Sequence, residues 1–244
     1  MRLRAGVLAL AAALPWAAAA DASAQAPKAS GRETNPVLLA DHLVYAVPDL
    51  ESGMAQVERL LGVKPSIGGQ HPGRGTRNAL VGLGPAVYLE ILAPDPAQPA
   101  PQKPRSFHLD DVKTPRLVGW GAHGRDVHAI FAEAKAQGVQ LGEIGSGGRK
   151  RPDGVELEWT FTDPDALLGG GVVPFFIEWG SGSPHPAKSA PQGAKLVALK
   201  AEHPDPASIE RMLKVLGVDM PVTRGPAPAL IAVIECPKGR VELR

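Results

Sequence analysis

The chain has 244 residues, with 26 basic and 25 acidic side chains and a formal net charge of +1. So even a balance offers no basic face for nucleic acid. The single cysteine, Cys236, excludes an intramolecular disulfide and, set in the apolar run LIAVIEC, reads as a buried small side chain. From the N-terminus, Arg2 and Arg4 precede an apolar run from Ala5 to Ala20, and Ala22-Ser23-Ala24 has the small-residue pattern of a signal-peptide cleavage site. Residues 1–24 are expected to be removed on export to the periplasm or medium, leaving no stable membrane insertion. Removal takes away Arg2, Arg4 and Asp21, leaving 24 charges of each sign. Residues 25–36 are polar, lack apolar periodicity and read as a disordered leader.

The stretch DHLVYAVPDLESGMAQVERLLGV, Asp41 to Val63, reads as strand, turn and helix. Pro48 stops the strand, Asp49 is placed to cap the helix, Met54, Val57, Leu60 and Leu61 recur at helical spacing, and Gly62 ends it. This construction recurs. A second copy starts at RLVGWGAHG with a helix behind Asp126, and a third at KLVALKA with a helix behind Asp205; each closes on a strand holding one glutamate. Two proline- or glycine-rich breaks, around Pro94–Pro104 and Gly180–Gly193, separate the copies. The expected fold is α+β: βαβββ modules at residues 37–104 and 105–186 forming an incomplete barrel round a cleft, and a degenerate βαββ module at 187–244.

Within the apolar strands VYLEIL and PFFIEW, Glu90 and Glu178 are the only charges. A buried carboxylate must be paired, protonated or metal-bound. The loop His71-Pro72-Gly73-Arg74-Gly75-Thr76-Arg77-Asn78 is the densest group of hydrogen-bonding side chains, and Arg74 and Arg77 carry forked donors suited to an anion. Gly145–Gly154 reads as a flexible hairpin tip from which Arg149 or Arg151 could swing over a cleft, and Asp163–Gly171 reads as a turn. His185, in SPHPA, either folds back over the site mouth or lies in the linker, the linker being slightly favoured.

HLVYAVPDLE, GGQHPGRGTRNAL, YLEILAPDP, RPDG and PFFIEWG followed by HP resemble the glyoxalase-like domain of the vicinal oxygen chelate superfamily. The resemblance covers about Leu39 to Pro186. It implies a divalent ion or small ligand between the sheets, with His42, Glu90 and Glu178 as metal ligands, Glu90 and Glu178 as catalytic carboxylates, and His71, Arg74, Thr76 and Asn78 binding substrate. The fourth ligand position falls near Val118 or Gly119, neither of which can coordinate; His71, then His123, are the candidates to complete the set. One imidazole and two carboxylates suit Mn, Fe, Ni or Zn. The function implied is Lewis-acid chemistry on a small oxygen-rich or anionic substrate; the alternative is metal-free binding or sequestration of a small molecule. In the third module Lys195 stands where His42 does and Glu242 where Glu90 does, and an unpaired C-terminal strand, GRVELR, would favour a homodimer.

Overall fold

The computed structural model describes residues 34–244. The expected signal segment, its cleavage site and most of the leader lie outside them. Part of the expected disordered leader is ordered: Thr34 bridges Val218, and Asn35 caps the single-turn helix α1 (Pro36–Leu39) by accepting from the Val37 amide.

Strand β1 (Ala40–Ala46) is buried along its whole length, and helix α2 (Leu50–Leu61) follows after Pro48. The Asp49 carboxylate caps α2 by accepting from the Ser52 amide, and Gly62 closes it at φ 71°, a conformation that strains residues with a Cβ. The buried stripe Leu50, Gly53, Val57 and Leu61 lies on the convex side of the sheet. A Cβ at Gly53 would stand 2.7 Å from the Val47 side chain, so glycine lets the helix seat there. Strands β2 (Ser66–His71), β3 (Thr76–Gly84) and β4 (Val87–Pro94) complete the first module.

The second module repeats the order with β5 (Arg116–His123), α3 (Val127–Ala136), β6 (Ile144–Lys150), β7 (Glu156–Thr162) and β8 (Phe175–Trp179). The two modules share one sheet, ordered β2-β3-β4-β1-β5-β8-β7-β6, with β1 and β5 paired antiparallel at its centre. The sheet curls until its edges face each other across a cleft, where Arg149 Nη1 of β6 donates to the Gly68 carbonyl of β2. This is the α+β incomplete barrel expected from the repeats. The expected hairpin tip at Gly145–Gly154 is mostly strand β6; only its end turns. Glycines there make room for rings of β7: Cβ atoms at Gly145 and Gly147 would stand 3.0 Å and 2.7 Å from Phe161 and Trp159.

The third module has β9 (Lys195–His203), α4 (Pro206–Val215), β10 (Val222–Arg224), β11 (Ala229–Cys236) and β12 (Gly239–Leu243) in a separate sheet ordered β10-β9-β11-β12. The expected βαββ pattern is thus corrected to βαβββ, because the three-residue β10 is too short to leave a periodic signal. Its apolar residues join the same core as α2 and α3. Cys236 is half-buried, its thiol near the Gly239 carbonyl. Among the described residues no helix is long and apolar enough to cross a membrane.

Candidate functional site

Side chains alternate across a strand, so each barrel strand sends every second residue into the cleft. β1 contributes His42 and β4 contributes Tyr88, Glu90 and Leu92, while Thr76 and Asn78 enter from β3 and Arg149 from β6. Phe175, Ile177 and Trp179 of β8 form the opposite wall. Counted together with the open solvent at its mouth, the cleft spans about 630 Å³.

Glu90 sits at the polar end, 8% exposed. Asn78 Nδ2 donates to its Oε1 at 2.6 Å, leaving Oε2 toward the cleft. His42 Nε2 lies 3.9 Å from Oε2, and His71 Nε2 lies 3.8 Å from Oε1. Thr76 Oγ1 is 2.9 Å from His71 Nδ1. Arg74 stands over the Phe161 ring at 5.0 Å, while Arg77 turns to the convex side and forms a forked pair with Glu51 at 2.7–2.8 Å.

The structure brings together His42, His71, Arg74, Thr76, Asn78 and Glu90, but not Glu178. Phe176, Glu178 and Gly180 do share a face, as their spacing predicts, and that face is the convex one. There Glu178 accepts from the Val127 amide at 3.1 Å, at the start of α3. A one-residue change of register on a strand exchanges its faces, which is why a motif match could misplace it. Nor does the second module supply another ligand. Gly121 pairs with His42, and a Cβ there would stand 2.8 Å from His42 Cε1.

Asp41 is fully buried beside His42, at a register irregularity between Ala40 and His42. Its Oδ1 lies 2.7 Å from His42 Nδ1, while its Oδ2 accepts from Trp179 Nε1 at 2.9 Å and meets His185 Nε2 and His123 Nδ1, each at 3.0 Å. Of the two positions considered for His185, the favoured linker is not the one found: the side chain folds back onto the first strand, and its ring packs against Tyr88.

The sequence profile described as glyoxalase-like domain matches residues 40–217, well over half of the chain. The chain belongs to the glyoxalase-like domain family. Its fold also matches a hypothetical protein from Staphylococcus aureus, 15% identical, with 83% of each chain covered and a TM-score of 0.55. Methylmalonyl-CoA epimerase from Mycobacterium tuberculosis superposes with a TM-score of 0.39 at 20% identity, over 60% of this chain and 89% of that one. No curated protein matches the chain in sequence.

Two groups in this glyoxalase-like chain have the donor types of a metal site. Asp41, His123 and His185 are the one trio among the described residues whose donor atoms all lie within 4.8 Å of one another. Hydrogen bonds already occupy those atoms. His185 Nδ1 accepts from the Ala187 amide, which puts its proton on Nε2, facing Asp41. His123 faces acceptors on both sides, Asp41 and, at 2.9 Å, the Ala86 carbonyl, so the ring carries two protons. Burial alone would raise the Asp41 carboxyl, but bonds from His123, His185 and His42 hold it well below the usual carboxylate range. Burial likewise pushes His123 down, and Asp41 outweighs it to raise the imidazole above its ordinary value.

The second group is His42, Glu90 and His71. Asp41 fixes the His42 proton on Nδ1, so the Nε2 lone pair faces the cleft, the arrangement that ligating histidines require. Burial pushes the His71 imidazole down to about 4, opposed by Glu90 and assisted by Arg149, Arg74 and His42, so it is neutral at pH 7. Two imidazoles and a carboxyl group line this end of the cleft, donor types that suit a divalent ion; no choice of one donor atom from each brings all three within 4.8 Å of one another, so the side chains would have to draw together to hold one.

Asp41, His123 and His185 left little trace in the sequence. The available signal was an acid next to a candidate ligand inside an apolar strand; the partner histidines come from distant loops. The pairing has a measurable consequence. A histidine whose folded pKa is raised adds stability that is complete below its unfolded value of about 6.5 and is lost as pH rises through the folded value. Urea denaturation is therefore expected to show wild type losing its advantage over His123→Gln as pH rises above about 6.5. A pH-independent difference would contradict the ion pair.

Proposed function

We propose that the protein is an exported, metal-assisted enzyme acting on a small oxygen-rich anion in the barrel cleft. What carries the reading is Glu90, a buried carboxyl group with His42 Nε2 at 3.9 Å and His71 Nε2 at 3.8 Å, the latter also 3.4 Å from the Asn78 amide nitrogen. His42, Glu90 and His71 would hold the ion, and the donor set suits Mn, Fe, Ni or Zn. When bound, it supplies Lewis-acid polarisation of a substrate oxygen.

The chain's own residues do the rest. Asp41 orients His42, Asn78 holds one Glu90 oxygen, and Glu90 Oε2 is the atom placed to take a proton from substrate. Arg149 and Arg74 offer positive charge to an anionic group, and Tyr88 stays protonated because burial, then the charges of Asp41 and Glu90, raise its hydroxyl well above 10. The aromatic walls limit water.

The lack of a ligand from β5 and β8 favours a second reading, a metal-free protein that sequesters a small molecule. Screening α-hydroxy, α-keto and vicinal-diol acids against metal-loaded and chelated protein separates the two. Turnover only when loaded supports the enzyme; binding that survives chelation, without turnover, supports sequestration.

Export rests on the charged start, apolar run and Ala22-Ser23-Ala24. Mass spectrometry of protein from the periplasm or medium is expected to find a chain starting at Gln25; an intact cytosolic chain would contradict this. The edge strand β12 supports a homodimer as part of the proposal, with light scattering as its test.

A further inference from the structure

We infer that the cleft takes an aromatic carboxylate, its ring between the walls of β7 and β8 and its carboxylate on Arg149. This rests on the reading of the cleft as the ligand site and names the ligand class.

The ring side comes from where the aromatics are. Only 5% of the residues are Phe, Trp or Tyr, and six of those eleven line this one cleft. They are not there to build the main core, whose buried rings are Tyr45, Trp120 and Phe176. Trp159, Phe175 and Trp179 remain only half-buried, so they keep apolar surface that a flat ligand would cover. Trp159 and Trp179 stand 5.3 Å apart between ring centres at 55°, and His71 meets Trp159 edge-on at 6.4 Å. Tilted rings at such spacing offer both faces and edges to a further ring.

The anionic side comes from Arg149. Its side chain is 6% exposed, yet among the described residues it makes one hydrogen bond, to the Gly68 carbonyl, and no ion pair with a carboxylate. A guanidinium has five donors, and those the carbonyl does not take are not sealed in the protein, since no Arg149 nitrogen is among the fully buried atoms without a partner; they are open to a ligand in the cleft. Its fork matches a carboxylate, and it lines the cleft together with Tyr88 and Trp159. Burial lowers its affinity for its proton, with Tyr88 and Glu90 opposing, so an arriving anion would meet a poorly solvated cation. Arg74, over Phe161 at the mouth, adds a second charge on the entry side. One buried arginine suits one carboxylate better than a polyphosphate.

The test uses the mature protein, chelated and metal-loaded, with fluorescence of Trp159 and Trp179 as one readout and titration calorimetry as another. The probes are benzoate, cyclohexanecarboxylate, which keeps the charge without the ring, and benzamide, which keeps the ring without the charge. Benzoate is expected to bind at least tenfold more tightly than either. Arg149→Met should weaken benzoate at least tenfold and leave benzamide unchanged. Because Arg149 also ties β6 to β2, Trp159→Leu provides a second variant, expected to reduce the preference for benzoate over cyclohexanecarboxylate at least threefold. Equal binding of the two acids, undiminished benzoate binding in a folded Arg149→Met, or an unchanged preference in Trp159→Leu overturns the inference. Benzoate binding with these preferences in protein that takes up no metal upholds the ligand class and removes the metal reading. Metal uptake without binding of any probe does the reverse.

Discussion

Replacing Asp41 by alanine is expected to destabilise the protein by about 3–5 kcal/mol, the cost of removing one partner from a buried charged network. The carboxylate is fully buried and meets four donors, on His42, His123, His185 and Trp179. Truncation leaves the Trp179 N–H and the His185 Nε2–H without acceptors and a charged His123 without its counterion. Against a typical total of about 5–15 kcal/mol, that loss would be evident as a large fall in the urea midpoint. Asp41→Asn tests function more than stability. Its amide nitrogen must face either the three donors at Oδ2 or His42 alone at Oδ1. Trp179 cannot reverse its donor and His185 is fixed by the Ala187 amide, so the nitrogen goes to His42, which must move its proton to Nε2. The cleft then loses a lone pair. Metal affinity is expected to fall about 10–100-fold, as for other residues that orient a ligating histidine. Nitrogen NMR of the His42 ring would read the tautomer directly, and an unchanged tautomer with unchanged affinity would refute the role given to Asp41.

Glu90→Gln is expected to have the larger functional effect with a smaller effect on folding. Glutamine keeps the volume, and its carbonyl oxygen can still accept from Asn78 Nδ2. What disappears is the negative charge between His42 and His71 and the oxygen placed to accept a proton. General-base removal alone reduces rates by about 10²–10⁴. Loss of a charged ligand adds a drop in metal affinity of at least about 100-fold, the upper range for supporting residues. A variant with normal metal content and normal turnover would take both roles from Glu90.

The parts of this fold carried by local chemistry were readable in the sequence. Pro48, the Asp49, Asp126 and Asp205 caps and Gly62 mark boundaries through backbone geometry, and the helix stripes show a period of their own. The cleft was half readable. His42 and Glu90 stood out as polar residues in otherwise apolar strands, and the loop motif led to His71 and Asn78. Glu178 was misplaced because β8 follows two 3-10 segments, Pro164–Ala166 and Leu168–Gly171, with Leu167 and three glycines at positive φ; these set a register that no pattern announces. Arg149 was read as a mobile tip because glycine-rich β6 has small residues where β7 has rings. Its strand identity depends on Trp159 and Phe161 across the hairpin, so it appears only in three dimensions.

The most direct measurement is the metal content, by elemental analysis, of mature protein purified without chelator or a histidine tag. Wild type, Glu90→Gln and His185→Gln should be measured side by side. The account predicts about one Mn, Fe, Ni or Zn per chain in wild type and in His185→Gln, and loss of the ion in Glu90→Gln. An ion kept in Glu90→Gln and lost in His185→Gln would contradict it and place the metal at Asp41, His123 and His185 instead. No ion in any of the three, even after loading with each metal, would leave the sequestration reading in its place.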